Sequence, residues 1–208
     1  MITFDEASHT YRNSRGQLVP GVTFMLHCVG VASPIRKSST RALARGKAVH
    51  KAIELFLRGE LDLSTVDSIV MPYFECFLDW YAKHDRQFTR VRPEVVLEGP
   101  GGWYAGKADV VAKDGKNDAV IDWKTGEEET AHLVQDELYC MAQSAKTGRP
   151  TMPFVVYLWP KKGWKTVTPV NLGQTVEDAR AVLRVFNLGR KRHMAWLARL
   201  NGFEEDWG

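Results

Sequence analysis

Two aspartates and a lysine in the middle of the chain lie in runs of apolar residues. Asp109 lies in "GKADVV" and Asp122 in "VIDWKT", where Lys124 follows two positions later. Burial of a charge costs free energy unless the charge is paired or binds a metal. A D-x-K triplet alone is usually a surface ion pair. Here it follows a core-like strand and precedes "TG", a setting that favours a functional site.

The alternation of side chains along a strand predicts how these residues are oriented. Asp122 and Lys124 share one face of their strand, while Trp123 points to the other. If "AGKADVVA" and "AVIDWKT" pair as a hairpin through "KDGKND", Asp109 reaches the face of Asp122 as well. We therefore expect two carboxylates and a lysine within one small area.

Two helical segments carry polar residues at regular spacing. In "RGKAVHKAIE", Gly46, His50 and Glu54 recur every four residues and share one helix face. A glycine inside a helix costs about 1 kcal/mol relative to alanine, often because a backbone or ligand approaches closely. His50 should then face that neighbour, although a lone helical histidine is more often a core or surface residue. Gln135 and Tyr139 have the same spacing, which alone indicates only an amphipathic edge.

The order of elements predicts an α/β protein. We expect an N-terminal hairpin with a short helix near 22–29, helices near 41–58 and 65–87, three strands from "VRPEVV" to "IDWKT", a helix over 130–148, a strand pair around "KKG" and a last helix over 175–200. This order predicts a central mixed β-sheet flanked by helices. We divide the single domain 1–208 into an attachment 1–40, a catalytic core 41–170 and a C-terminal helix 171–208.

Composition sets broad limits on the class of protein. The chain has 208 residues, of which 25% are charged and 44% hydrophobic, as expected of one globular domain. No apolar run reaches the roughly 20 residues of a membrane span, and the first residues lack signal-peptide features, so we expect a cytoplasmic protein without membrane contact. Three scattered cysteines suggest buried thiols. The net charge of +3 does not identify a partner.

The order of these motifs along the chain is more specific than any one of them. The series G-x3-H-x3-E, Glu94, G-x2-D ending at Asp109, D-x-K and Q-x3-Y resembles the PD-(D/E)XK nuclease superfamily. Within it, the series is similar to the RecB-type branch, which includes standalone phage exonucleases. The similarity covers residues 41–140, and the opening "ITFDEASHTY" also resembles phage members. It implies a restriction-endonuclease-like core and a metal-dependent DNA nuclease, above all an exonuclease of phage DNA recombination or repair.

The resemblance also implies roles for individual residues. It implies four metal ligands, which are His50, Asp109, Asp122 and the backbone carbonyl of Trp123. It implies a catalytic set, which consists of Lys124, Asp109, Asp122, Glu94, Gln135 and Tyr139. Lys124 would hold the attacking water or stabilise the pentavalent phosphorus, while Gln135 and Tyr139 position the lysine or the DNA backbone. Glu94 matches the upstream glutamate of the family, although nearby Glu98 is an alternative.

The chemistry of phosphodiester cleavage agrees with these ligands. The reaction needs an activated water and a cation near the developing charge, and a divalent metal supplies both. Carboxylate and carbonyl oxygens with one imidazole suit Mg²⁺ or Mn²⁺ better than Zn²⁺. We expect no iron–sulfur cluster, because relatives that carry one use four cysteines. We expect no nucleotide cofactor, because the sequence lacks a G-x4-G-K-[ST] loop.

DNA is the expected partner, and two basic groups are candidates for its backbone. One group surrounds His50 and the other lies between Trp159 and Trp164; together they are Arg41, Arg45, Lys47, Lys51, Lys161, Lys162 and Lys165. These residues can contact phosphates and the tryptophans can stack on unpaired bases, or the groups form solvated faces. The substrate would be single- or double-stranded DNA ends. A recombination or single-strand-binding protein is a further candidate partner, and a phage protein would act in the host cytoplasm.

Two other functions are compatible with the same motifs. A site-specific or structure-specific endonuclease uses the same chemistry but needs elements that read bases or shape, and the sequence contains no dedicated recognition domain. A non-catalytic DNA-binding protein on this fold is the other alternative. The presence of His50, Asp109, Asp122 and Lys124 argues against it, because an inactive protein need not keep all four.

Overall fold

Eight strands and six α-helices make up the part of the chain that this computed structural model describes, residues 1–32 and 40–201. They are β1 (Thr3–Asp5), β2 (Thr10–Arg12), β3 (Leu18–Val19), α1 (Val22–Cys28), α2 (Thr40–Arg58), α3 (Met71–His84), β4 (Phe88–Glu98), β5 (Ala105–Asp114), β6 (Asn117–Lys124), α4 (Thr130–Thr147), β7 (Thr151–Trp159), β8 (Gly163–Val167), α5 (Leu172–Leu188) and α6 (Arg190–Leu200). Residues 33–39 of the expected attachment and 202–208 of the expected C-terminal segment lie outside this description.

The central sheet has five strands in the order β4-β5-β6-β7-β8. Strands β6 and β7 are parallel, and the other neighbours are antiparallel. A parallel pair needs a crossover connection, which α4 provides between β6 and β7. The prediction of a mixed central sheet flanked by helices is confirmed.

Each face of the sheet is covered by a different set of helices. On one face, Ile53 of α2 and Phe77 of α3 pack with Trp123 of β6. On the other face, Leu138 of α4 and Phe186 of α5 belong to a second core. Trp123 therefore points away from the face covered by α4, as the strand alternation predicted.

The N-terminal strands form a small antiparallel sheet of their own, in the order β1-β2-β3. It joins the central sheet where Ala105 donates a backbone hydrogen bond of 3.0 Å to the carbonyl of Pro20. Helix α1 follows at once and lies close to the expected range 22–29. The small sheet thus stands beside the start of β5, near the end of the central sheet where β6 finishes.

Two helices differ from the sequence expectations. Helix α3 begins at Met71, because Pro72 lacks an N–H donor and is tolerated only in a first helical turn. The preceding residues form a short 3₁₀ turn, Leu63–Thr65, capped by the Asp62 side chain. The expected single C-terminal helix is two helices that meet at Gly189, where a Cβ atom would lie 2.7 Å from the His193 ring. No helix in the described ranges is long and apolar enough to cross a bilayer.

Candidate functional site

A cleft of about 680 Å³ opens where β6 ends, between α2, α4, β5 and the N-terminal sheet. All the acidic, histidine, lysine, glutamine and tyrosine side chains expected at the site line it, namely His50, Glu94, Asp109, Asp122, Lys124, Gln135 and Tyr139. Glu98, the alternative to Glu94, does not line the cleft and instead lies 3.4 Å from the N-terminal amine. The structure therefore brings together residues from α2, β4, β5, β6 and α4.

Asp109 links the helix α2 to the strand β6. Its Oδ1 lies 3.1 Å from Nδ1 of His50, and its Oδ2 accepts a hydrogen bond of 2.8 Å from the backbone N–H of Trp123. Burial alone would raise the pKa of Asp109, but His50, Lys124 and the Trp123 N–H outweigh it and lower the value. Burial likewise lowers the pKa of His50, and the Asp109 charge reverses this effect. Each partner thus favours the charged form of the other.

Lys124 is held by two side chains at the exit of β6. Its ammonium forms an ion pair with Oδ2 of Asp122 and donates a hydrogen bond of 2.9 Å to Oε1 of Gln135. Nε2 of Gln135 in turn donates to the Tyr139 hydroxyl at 3.0 Å and to Thr23 at 3.3 Å. Burial lowers the pKa of Lys124, but the nearby carboxylates outweigh it and raise the value. The Q-x3-Y residues thus fix the orientation of a charged lysine.

The two motif glycines have different surroundings. A Cβ atom on Gly106 would lie 2.2 Å from Cε1 of Tyr139, so this position must be glycine for the tyrosine ring to pack against β5. A Cβ on Gly46 would meet only Oγ1 of Thr125, at an ordinary contact distance of 3.4 Å. Among the described residues no backbone approaches Gly46 closely. Gly46 instead leaves open space on the wall of the cleft.

Carboxylates are in excess at this end of the sheet. Asp122 is only 4% exposed, and burial together with the charge of Asp109 raises its pKa to about 6. Asp136 of α4 is fully buried, and neither of its oxygens has a hydrogen-bond partner among the described residues. Burial and the charge of Asp122 raise the pKa of Asp136 well above its ordinary value. Asp136 was not predicted as a site residue. The only sequence signal for it is the spacing of His132, Asp136 and Tyr139, which puts polar residues on one helix face.

Glu94 forms a second ionic contact on the cleft wall. Its backbone has a φ of 54°, in the left-handed region, and its side chain forms an ion pair with Lys107. Burial raises the pKa of Glu94, although the Lys107 contact lowers it in part. Lys107, which was not predicted as a site residue, lies two residues before Asp109 on the same strand face, and this spacing is visible in the sequence. Glu6, in the turn after β1, approaches the same lysine at 3.6 Å.

The types of donor at the site match hard divalent cations, which prefer carboxylate and carbonyl oxygens. Within residues 1–32 and 40–201, however, no group of three or more His, Cys, Asp or Glu side chains is arranged to hold a metal ion. Asp109 is engaged by His50 and Trp123, and Asp122 is engaged by Lys124. Cation binding therefore has to compete with these contacts.

The basic residues of α2 divide into two pairs. Lys47 and Lys51 line the cleft, and Lys51 also forms an ion pair of 2.8 Å with Glu54. Arg41 and Arg45 do not line it. The guanidinium of Arg45 packs 4.8 Å from the centre of the Tyr73 ring, which keeps this side chain beside α3.

The second basic group lies outside the cleft. Lys161 and Lys162 are exposed in the turn after β7, and Lys165 of β8 forms an ion pair of 2.7 Å with Glu128. The Trp159 indole donates a hydrogen bond of 2.9 Å to the carbonyl of Gly126, just beyond the exit of β6. This hydrogen bond fixes the turn at the same end of the sheet as the cleft.

Trp164 is tied to α3. Its indole donates a hydrogen bond of 2.6 Å to Asp79, and its ring contacts His84 and Lys83. Trp159 is engaged to a similar extent, because its ring stacks on Tyr157 and the Lys162 ammonium lies over it.

Comparisons with known proteins give likeness in structure only. No family model matches the chain, and no curated protein matches its sequence. A candidate exonuclease from Eubacterium rectale is 12% identical, with a TM-score of 0.49 over 88% of this chain and 74% of that one. LHK-Exo, an alkaline exonuclease from Laribacter hongkongensis, is 11% identical, with a TM-score of 0.46 over 87% of this chain and 92% of that one. Because these values are low, the site itself has to carry any assignment of function.

Proposed function

We propose that this protein is a metal-dependent DNA nuclease of the PD-(D/E)XK type, similar to the RecB branch, and that it degrades DNA from its ends. The observation that carries the proposal is the convergence of His50, Asp109, Asp122 and Lys124 on one cleft. They come from helix α2 and strands β5 and β6, and Gln135 of α4 orients the lysine. Perturbed carboxylates in a cleft are typical of catalytic sites.

The excess of buried carboxylates supports a divalent cation, Mg²⁺ or Mn²⁺, at Asp109 and Asp122. His50 and the carbonyl of Trp123 are its further candidate ligands. When bound, such an ion activates a water and stabilises the charge that develops on the phosphate. The raised pKa of Asp122, which burial and Asp109 cause, reflects a repulsion that a cation would relieve.

Lys124 acts on the substrate in this proposal. Its ammonium stays charged beside the carboxylates and is only partly exposed, so it can neutralise a non-bridging phosphate oxygen or hold the attacking water. Gln135 fixes the position of the amine, and Tyr139 fixes that of Gln135. These two residues therefore reduce the motion that the lysine must lose in the reaction.

For DNA binding, Lys47 and Lys51 are the preferred phosphate contacts, because both line the cleft. Lys161 and Lys162 extend the basic surface at the same end of the sheet, where Trp159 is held by its hydrogen bond to Gly126. A role in phage DNA recombination or repair, with a recombination or single-strand-binding protein as partner, is the biological setting that the motifs favour.

The test compares end-labelled linear DNA with covalently closed circular DNA, each incubated with the protein and Mg²⁺ or Mn²⁺. We expect loss of the linear DNA only, and no loss in EDTA. Lys124→Ala should abolish cleavage. Lys113→Ala is the matched control, because Lys113 forms an ion pair with Asp118 at the opposite end of β6.

Cleavage of the circular DNA would show that the enzyme is an endonuclease. Binding of DNA without cleavage of either form would favour the non-catalytic alternative. Equal loss of activity in both lysine variants, each shown by circular dichroism to be folded under the assay conditions, would disprove the assignment of the site to this end of β6.

A further inference from the structure

The turn between β1 and β2 places an aromatic side chain in the cleft. His9, the last residue of this turn, is accessible to solvent and lines the cleft together with Phe4 of β1. The two rings meet edge to face, with 5.1 Å between their centres. Tyr11 of β2 packs against Phe4 at 4.8 Å. The proposed cleavage step uses none of these rings, although His9 and Phe4 lie where a substrate would bind.

His9 has a backbone conformation that a histidine adopts only at a cost. Its φ is 53°, in the left-handed region, where glycine fits without strain. Hairpin turns commonly place glycine or asparagine at such positions. Of the three non-glycine residues in the described ranges with a left-handed φ, His9 and Glu94 line the cleft. Backbone strain of this kind is concentrated at functional sites, so the histidine ring is a candidate for function.

Ionic contacts and hydrogen bonds hold this turn against the wall of the cleft. Lys107 of β5 lies 3.6 Å from Glu6 of the turn, and its ammonium lies 5.0 Å from the centre of the Phe4 ring. Within the turn, Ser8 donates hydrogen bonds of 2.7 and 2.8 Å to the Asp5 carboxylate. The two rings are therefore fixed before a substrate binds, which reduces the entropy that is lost on binding.

The surroundings of the rings suit an unpaired nucleotide. Partial burial and the charges of Lys107 and Lys47 lower the pKa of His9, which favours the neutral ring. Lys47 also lines the cleft, so a cation that can contact phosphate lies on the same wall as an aromatic surface. Proteins bind single strands with this combination, in which cations contact the backbone and rings stack on bases. The cleft volume of about 680 Å³ is typical of sites for small ligands, and it accommodates an unpaired nucleotide but not a double helix.

We propose that the His9 ring, supported by Phe4, stacks on a base of the unpaired DNA strand that enters the cleft. The inference rests on the proposed function, because it names the substrate of the same cleft as a strand whose bases are unpaired near the cleaved bond. The enzyme therefore requires a single-stranded or frayed end. His9 binds substrate and takes no part in the chemical step.

The experiment measures the binding of two labelled oligonucleotides in EDTA, so that cleavage does not interfere. One is a short oligothymidylate, and the other has the same number of phosphates but abasic sites in place of the bases. His9→Asn removes the ring, and asparagine tolerates a left-handed backbone. We expect the variant to bind oligothymidylate about 5- to 100-fold more weakly, as for the loss of one stacking contact. Its affinity for the abasic strand, read from fluorescence anisotropy, should equal that of the wild type.

Arg90→Asn is the matched control, because Arg90 also has a left-handed φ, of 51°, but does not line the cleft. Its segment of β4 pairs with the last residues of β5, at the end of the sheet away from the cleft. Both variants should melt at or above the wild-type temperature, and Arg90→Asn should keep both affinities. An equal loss of affinity for the two oligonucleotides in His9→Asn would assign the ring to the phosphate backbone and overturn the inference. Unchanged binding of oligothymidylate would make His9 a structural residue and overturn it as well.

Cleavage and binding separate this inference from the proposed function. If the wild type prefers oligothymidylate to the abasic strand and His9→Asn does not, but the wild type degrades no DNA with Mg²⁺ or Mn²⁺, the proposed function alone fails. If the wild type degrades linear DNA but binds the two oligonucleotides equally, the inference alone fails. If it neither degrades DNA nor distinguishes the oligonucleotides, both fail.

Discussion

Strand β6 carries two buried aspartates, one near each end, and α4 covers both. Asp118 is 1% exposed and Asp122 is 4% exposed, yet their surroundings are opposite. Asp118 forms an ion pair with Lys113 and accepts hydrogen bonds of 2.9 Å from Gln143 and Thr147, and Arg149 approaches at 3.3 Å. All the contacts of Asp118 thus come from donors or cations.

At the other end of the strand, several carboxyl groups lie near one another. Asp122 has Lys124 as its ion-pair partner, and its neighbours Asp109 and Asp136 are carboxylates as well. Burial raises the pKa of Asp118, but Lys113 and the hydrogen-bond donors outweigh it and lower the value, whereas burial and Asp109 raise the pKa of Asp122 to about 6. The charge of Asp118 is thus balanced by cations and hydrogen-bond donors of the fold, whereas the carboxyl groups around Asp122 have too few positive charges beside them.

The comparison predicts a large difference in stability between two isosteric variants. Asp118→Asn should lower the free energy of unfolding by about 2–3 kcal/mol, because Lys113 and Arg149 lose their partner. Asp122→Asn should lower the free energy of unfolding by less than this, or even raise it, because it removes one carboxylate from a group of carboxylates that repel one another. Urea unfolding of both variants in EDTA tests this, and equal losses would contradict the distinction between the two ends.

The room available for a Cβ atom differs between Gly106 and Gly46, and this difference gives a second comparison. Gly106→Ala should lower the free energy of unfolding by about 1–3 kcal/mol, because the new methyl group would overlap the Tyr139 ring. Gly46→Ala should raise it by roughly 0.5–1 kcal/mol, because alanine favours the helix and the methyl group has room. Thermal unfolding measures both changes. A loss of stability in Gly46→Ala would show that this helix position is more crowded than its contacts indicate.

The pH dependence of Asp118→Asn sharpens the comparison further. The pKa of Asp118 is lower in the folded protein than in the unfolded chain, so its contribution is present above the unfolded value and is lost as pH falls through the folded one. The stability difference between the wild type and Asp118→Asn should therefore be largest near neutral pH and shrink below about pH 4. Unfolding curves across this range test the sign. A difference that grows in acid would contradict it.

Much of the cleft could be predicted from local spacing. The period of two in β6 orients Asp122 and Lys124, and the period of about four in α2 and α4 orients His50 and Gln135. These periods are properties of the strand or helix alone. The order of the motifs along the chain then predicted that these elements meet. In the structure the expected side chains do line one cleft.

The rest depended on contacts between elements that the sequence does not specify. Nothing in "VQDELY" indicates that Asp136 is buried without partners, because this depends on what the sheet presents opposite α4. Arg45 was grouped with Lys47 from sequence proximity, but the rotation of α2 turns it toward Tyr73 instead. The division of the C-terminal helix at Gly189 likewise depends on close packing of His193.

The most direct test of the account is a cleavage assay of linear DNA with Mg²⁺ or Mn²⁺ that compares Asp122→Asn with Asp118→Asn, both kept well below their unfolding temperatures. The account predicts that Asp122→Asn loses activity by about 10³-fold, since it removes transition-state stabilisation, and that Asp118→Asn remains active although it is less stable. Full activity in Asp122→Asn, or the same loss in both variants, would contradict the claim that this end of β6 is the active site.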